Sequence, residues 1–301
     1  MTLPARVKVC EMGPRDGLQN EKAVVSTEDK IAYVNLLSEA GLPVIEATSF
    51  VSPKAIPQLS DATEVFAGIR KRPGTRYVVL TPNLKGLERA RAAGADSIAV
   101  FTAASESFTK RNINMSIEQS LSAFGEVINA ARLHGIWVRG YVSTAFGCPY
   151  EGTVPVDSVV RVTESLYKLG CDEISIGDTI GVGVSTQVHA LIPRLSDIVP
   201  LENVALHFHD TYGQALANVE AGMQEGVAIF DSSAGGLGGC PYAPGASGNL
   251  GTEDLLYKLR GMDIETGVDL ARVRAASRFI AGRLDHQLPS KAYTALEAAS
   301  A

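Results

Sequence analysis

Two histidines flank a phenylalanine at His207-Phe208-His209. Residues two apart on a β-strand project from the same face, so two imidazoles at a strand end can reach one metal ion. Such a pair taken alone reads equally as two hydrogen-bonded histidines on a polar rim. Asp16 adds a carboxylate: it lies in Gly13-Pro14-Arg15-Asp16-Gly17, directly after another short apolar run. Asn249, beyond the glycine-rich Gly235-Gly236-Leu237-Gly238-Gly239, offers a side-chain oxygen. Together Asp16, His207, His209 and Asn249 supply two nitrogens and two oxygens. That set suits a six-coordinate Mg2+ or Mn2+ with two positions left for substrate oxygens. A zinc site made of Cys148, Cys240 and the two histidines is the rival, but no spacing brings the two thiols together.

Neighbouring residues suggest further chemistry. Arg15 is either half of a surface ion pair or a guanidinium placed to bind substrate and stabilise an oxyanion. Glu46 shares strand parity with Val44 and Thr48, and an inward carboxylate needs a partner, for which Arg15 is the natural choice. Asp178, in Gly177-Asp178-Thr179, reads either as a group that orients a metal-binding histidine or Arg15, or as the cap of the next helix. Asp210 reads as a cap. The tetrapeptide Gly-Cys-Pro-Tyr occurs at 147–150 and again at 239–242. Cys240 sits in a glycine-rich segment of the kind that closes over substrate and delivers a side chain. Cys148 lacks that glycine run and reads as structural, while Cys10 and Cys171 read as small buried residues. His134, His189 and His286 read as surface or helix-end residues.

These residues converge only if the chain closes into the right scaffold. Eight short β-branched runs, at 7–11, 44–49, 77–81, 97–101, 137–143, 173–177, 204–209 and 228–232, alternate with helix-like segments. Eight such units predict a (β/α)8 TIM barrel, with an open doubly wound sheet as the alternative. In a parallel barrel, chemistry gathers at the C-terminal strand ends, where Asp16, Asp178 and the two histidines all fall. Gly94, Gly135, Gly170 and Gly226 each precede an expected strand and read as helix ends. No linker divides residues 1–301, so one barrel domain is expected, with 267–301 as an additional helical C-terminal extension outside or beneath it.

The bulk composition narrows the function classes. The chain has 301 residues, 46% hydrophobic and 20% charged, enough to bury a core without disulfides. Its 27 Lys+Arg against 33 Asp+Glu give a charge of −6, the wrong sign for a nucleic-acid partner. Four scattered cysteines without a CxxC read as free thiols in a reducing compartment. No apolar run is long enough to span a membrane, and residues 1–6 carry no signal peptide, so a soluble cytoplasmic protein is expected.

The motifs also carry a family resemblance. Gly13 to Glu21 (GPRDGLQNE), Glu46 to Lys54 (EATSFVSPK), Gly177-Asp178-Thr179-Ile180-Gly181 and the glycine loop with Cys240 resemble the 3-hydroxy-3-methylglutaryl-CoA lyases over essentially the whole chain. The Arg-Asp pair and the HxH are shared more widely, with isopropylmalate and homocitrate synthases, whose long C-terminal regulatory domain is absent here. The resemblance implies metal-dependent retro-Claisen cleavage of 3-hydroxy-3-methylglutaryl-CoA to acetoacetate and acetyl-CoA, chemistry of the leucine-degradation and ketone-body type. It implies that Asp16, His207, His209 and Asn249 bind the cation, and that Cys240 is the active-site loop cysteine. Arg15, Glu46 and Asp178 fall at positions implicated in catalysis. It further implies a homodimer and an acyl-CoA substrate as partner; the sequence departs from the mitochondrial members in lacking their cysteine near the C-terminus, so thiol regulation through that cysteine does not carry over. Either Asp16 or His207 could serve as the base. Lys110-Arg111-Asn112 reads either as a CoA phosphate contact or as a solvated loop.

Overall fold

The computed structural model describes residues 3–239 and 248–299; Cys240 lies outside the described residues. Eight parallel strands close in chain order: β1 (Lys8–Glu11), β2 (Val44–Ser49), β3 (Arg76–Leu80), β4 (Ser97–Ala103), β5 (Trp137–Ser143), β6 (Glu173–Asp178), β7 (Val204–Phe208) and β8 (Ile229–Ser232). The closing ladder pairs β1 with β8, Lys8 opposite Ile229 and Glu11 opposite Ser232, so the sheet is a barrel and not open. Helices α1 (Thr27–Glu39), α2 (Ala62–Gly68), α3 (Leu84–Ala92), α4 (Glu106–Ile113), α5 (Ile117–Leu133), α6 (Val156–Leu169), α7 (Ser185–Ser196) and α8 (Ala215–Gln224) lie between the strands. After β8 come α9 (Thr252–Gly261), α10 (Leu270–Ala281) and α11 (Lys291–Ala298).

Local sequence explains the boundaries. Ser26 caps α1 by accepting the Asp29 N–H, and Ser116 and Gln119 form a reciprocal capping box on α5. The expected strands fall within a few residues of the observed ones. One difference matters for the site: β7 stops at Phe208, and His209 instead bridges Asn249 in antiparallel fashion.

Two apolar layers result. The larger fills the space between strands and helices. The smaller lines the barrel interior with Cys10, Val44, Val78, Ala99, Ala205 and Ile229. Interleaved with these on the strands are the buried charged residues Glu46, Arg139, Glu173 and Asp231. The barrel interior is therefore a packed core with a line of charge through it.

The Arg15-Asp16 segment is a π-type turn over Gly13–Gly17, closed by Gly17 N–H to the Met12 carbonyl at 3.1 Å. Such wide turns recur at functional sites because they re-aim side chains. Gly13 is required there: a Cβ would lie 2.5 Å from the Tyr33 hydroxyl and 2.6 Å from Glu11 Oε1.

The C-terminal helices pack outside the barrel, but they also reach its site-bearing end. α10 lies against α1 and α9. The segment after it brings Leu288 against Gly235 and hydrogen-bonds Ser290 N–H to the Gly235 carbonyl at 3.0 Å. Of the two expected placements the helices take the outer one, and the extension also buttresses the chain that leaves β8. Leu288 is buried, so Leu288→Ala is expected to cost about 2–5 kcal/mol of stability in urea unfolding. A loss below about 0.5 kcal/mol would show that this buttress carries no packing energy.

Candidate active site

β1 and β7 position the candidate ligands. Asp16 follows β1 in the π-type turn, His207 lies in β7, and His209 lies just beyond its end. Gly248 to Leu250 run back along the end of β7, with Asp210 N–H on the Gly248 carbonyl and Leu250 N–H on the Phe208 carbonyl. That pairing carries Asn249 to the same centre. Asp16, His207 and His209 each offer a ligand atom, all within 4.8 Å of one another. The Asn249 amide donates to Asp16 Oδ2 at 2.8 Å and to the Leu237 carbonyl at 2.9 Å.

This donor set fits a cation. Asn249 Oδ1 is buried with no partner among the described residues, and the same holds for His209 Nδ1. His209 Nε2 stands 3.8 Å from Asp16 Oδ2, too far for a hydrogen bond. Buried lone pairs without partners are costly, and a bound cation would satisfy them. Burial, with the charge of His207, pushes His209 down to about 4, so it is neutral at neutral pH. Burial works to raise the Asp16 carboxyl, but Arg15 and both histidines more than offset it and hold it at about 2.

Arg15 and Glu46 meet as expected, Nε to Oε2 at 2.5 Å, and Arg15 Nη1 reaches Asp16 Oδ1 at 2.7 Å. Burial opposes the Arg15 charge, but Glu46 and Asp16 keep the guanidinium fully ionised. It lies 5.6 Å from the centre of the Tyr141 ring. Two nitrogens serve carboxylates, and a guanidinium has five N–H donors, so donors remain for a substrate oxygen.

Asp178 corrects one expectation. It makes no hydrogen bond to His207 or Arg15 among the described residues; its carboxylate accepts Val182 N–H at 3.1 Å and Gly183 N–H at 2.8 Å. It therefore caps the turn entering α7, and burial pushes its carboxyl up to about 6. Asp210 caps α8 by accepting Ala215 N–H. Cys148 is buried against Ser105 Oγ at 3.0 Å, away from the histidines, which removes the zinc alternative. Burial pushes the Cys171 thiol up to about 12, in keeping with an inert core cysteine. His189 pairs with Glu225 and His286 with Glu21, as outlying residues. Lys110, Arg111 and Asn112 are not a loop but an exposed stretch of α4, with Arg111 stacked over Tyr150 at 4.4 Å.

Two supporting carboxylates were not singled out from sequence. Glu11 Oε1 accepts both Gly13 N–H and Ala234 N–H at 2.8 Å, so one group anchors the Arg15-Asp16 turn and the glycine loop together. Asp231, on β8 directly opposite His207, lies 3.2 Å from its Nδ1. Strand parity was a usable signal for Asp231, since it falls inside an expected strand. Glu11, the last residue of β1, also fell inside an expected strand, but its backbone partners could not be read from sequence.

The sequence model of the HMGL-like family matches residues 6–280. The chain belongs to the HMGL-like family. A relative from Pongo abelii, named hydroxymethylglutaryl-CoA lyase, mitochondrial, is 58% identical over 96% of this chain and 89% of its own length. The crystal structure of a hydroxymethylglutaryl-CoA lyase from Pseudomonas aeruginosa superposes with a TM-score of 0.97 at 53% identity, covering 99% of this chain and 100% of that one. An HMG-CoA lyase from Acinetobacter baumannii, solved in complex with coenzyme A and 3-methylmalate, superposes with a TM-score of 0.93 at 41% identity, covering 98% and 97%. These findings correct the expected cytoplasmic location: relatives from Pongo abelii, Bos taurus and Homo sapiens are all named as mitochondrial. No described helix is long and apolar enough to cross a membrane.

Burial lowers the His207 pKa, but the Asp231 hydrogen bond and charge outweigh it, so His207 sits above its ordinary value and is protonated below it. A ligand imidazole must be neutral, so cation binding displaces that proton. Cation affinity is therefore expected to rise about tenfold per pH unit through the acidic range and level off above the His207 pKa, measured by Mn2+ titration. A pH-independent affinity would exclude His207 as a ligand. Glu46→Gln leaves the Arg15 charge half-paired in a buried site and is expected to cost about 3–5 kcal/mol in urea unfolding. A loss below 1 kcal/mol would show that Asp16 alone satisfies Arg15.

Proposed function

We propose that this chain is a divalent-metal-dependent carbon–carbon lyase that cleaves 3-hydroxy-3-methylglutaryl-CoA to acetoacetate and acetyl-CoA. The observation that carries the reading is the convergence of Asp16, His207, His209 and Asn249 beside the Arg15-Glu46 pair. Relatives named for this activity, and one solved with coenzyme A, support the substrate class.

Asp16, His207, His209 and Asn249 would hold the cation, taken as Mg2+ or Mn2+. When bound it supplies a Lewis acid for substrate oxygens. The chain's own groups then account for the bond changes. A base takes the proton of the substrate's tertiary hydroxyl; of the two expected candidates Asp16 fits, because a cation-holding His207 has one ring nitrogen on the ion and the other facing Asp231. The oxygen's electrons form the ketone of acetoacetate, the adjacent carbon–carbon bond breaks, and its electron pair passes to the thioester as an enolate. Arg15, with free donors and a charge fixed by Glu46, stabilises that enolate oxygen. Protonation of the enolate carbon yields acetyl-CoA, with Cys240 as the donor when its loop closes. Glu46 and Asp178 support the site by holding Arg15 and the turn into α7.

The purified protein is expected to release acetoacetate from 3-hydroxy-3-methylglutaryl-CoA with Mg2+ or Mn2+ present, and to lose that activity on chelation. No product under those conditions would sink the reading. Cys240→Ala is expected to lower turnover about 10²–10⁴-fold with Mn2+ affinity unchanged, and equal activity would remove Cys240 from the mechanism. The implied homodimer is read by light scattering of the eluting protein, where a monomer mass would exclude it.

A further inference from the structure

Asp231 and the arginine behind it take part in none of these steps, yet they are built into the centre of the barrel. Asp231 Oδ1 accepts from Arg139 Nη2 at 2.6 Å, while Oδ2 accepts from Ser175 Oγ at 2.8 Å and faces His207 Nδ1 at 3.2 Å. Arg139 is fully buried; its Nε lies 2.9 Å from Glu173 Oε1, and Glu173 pairs in turn with Lys8 at the start of β1. Alternating charges thus run from the N-terminal end of the barrel to His207.

Stability does not account for this row. Buried ion pairs seldom outperform well-packed apolar side chains of the same volume. Asp231 already has Arg139 and Ser175 as partners, so its contact with His207 is not needed to satisfy the carboxylate. That contact does constrain the imidazole. A carboxylate pressed against a guanidinium accepts hydrogen bonds and does not donate them, so the hydrogen it shares with Nδ1 belongs to the ring. A neutral imidazole with its proton on Nδ1 has its lone pair on Nε2.

We infer that Asp231, backed by Arg139, is a positioning residue that fixes His207 as its Nδ1–H tautomer and leaves Nε2 free for the centre shared with Asp16 and His209. The role first expected of Asp178 falls instead to a residue on the neighbouring strand. The inference rests on the metal reading given above, and two separate measurements keep the two distinguishable.

The first is the side-chain ¹⁵N spectrum of the metal-free protein at alkaline pH. His207 is expected to show a protonated Nδ1 and a bare Nε2; a proton on Nε2 overturns the proposal with no variant needed. The second is Mn2+ titration by electron paramagnetic resonance for the unaltered protein and Asp231→Asn, with folding checked by circular dichroism. The amide cannot balance the Arg139 charge and can turn its own N–H toward the ring. Mn2+ affinity is therefore expected to fall about 10–100-fold, with the tautomer shifted toward Nε2–H. A folded Asp231→Asn with an unchanged tautomer and Mn2+ affinity within about twofold overturns the proposal. Absence of Mn2+ binding by the unaltered protein overturns the metal reading instead, and the ¹⁵N spectrum still decides the role of Asp231. Should Asp231→Asn fail to fold, that spectrum decides alone.

Discussion

The hydrogen-bond ladder between β1 and β8 makes the rest of the structure meaningful. Asp16 leaves the end of β1, whereas His207 sits on β7 and Asn249 follows β8, so Asp16 is distant in the chain from the other three proposed ligands and joins them only in a closed sheet. The contacts that Asp16 makes with Asn249 and His209 inherit their distances from that closure. Glu11 reinforces it, because one carboxylate accepts from backbone on both sides of the seam, at Gly13 and Ala234. A small displacement of β8 against β1 would act on the proposed ligands, the Arg15 turn and the glycine loop together.

Charge is the second organising constraint. Four carboxylates, Asp16, Glu46, Glu173 and Asp231, face three cationic side chains, Arg15, Arg139 and Lys8, along the barrel interior. Tyr141 lies between the two guanidiniums, 5.6 Å from Arg15 and 5.2 Å from Arg139. Burial is costly for Glu46, Arg139, Glu173 and Asp231 alone, so each needs its charged neighbour. The array favours one arrangement of the site over many, and it carries a local excess of negative charge that suits a cation at its open end.

Much of this was legible in the sequence because barrels separate their signals. Strand and helix periodicities alternate cleanly, and residues at strand ends stand out as polar after apolar runs. His207, His209, Asp16 and the Glu46-Arg15 pair were readable for that reason. Asp178 was harder, because a carboxylate after a strand can cap a turn or orient a neighbour, and only the backbone path of Val182 and Gly183 decides between them. Arg139 was invisible for a different reason: its partner Asp231 lies across the barrel, and one sequence does not reveal cross-barrel register. The compartment was misread because the segment preceding β1 has no bearing on the packed fold.

The Leu288–Ser290 buttress has a consequence for the order in which the protein acquires its shape. Chain order places every strand and every proposed ligand ahead of it, yet it is what steadies Gly235 at the root of the glycine loop. A nascent chain emerging from the ribosome would have all four ligands outside the exit tunnel while that root still lacked its outer support. The proposed ligands are thus all synthesised before the residues that support the root of the glycine loop, which puts the completion of that support towards the end of the chain.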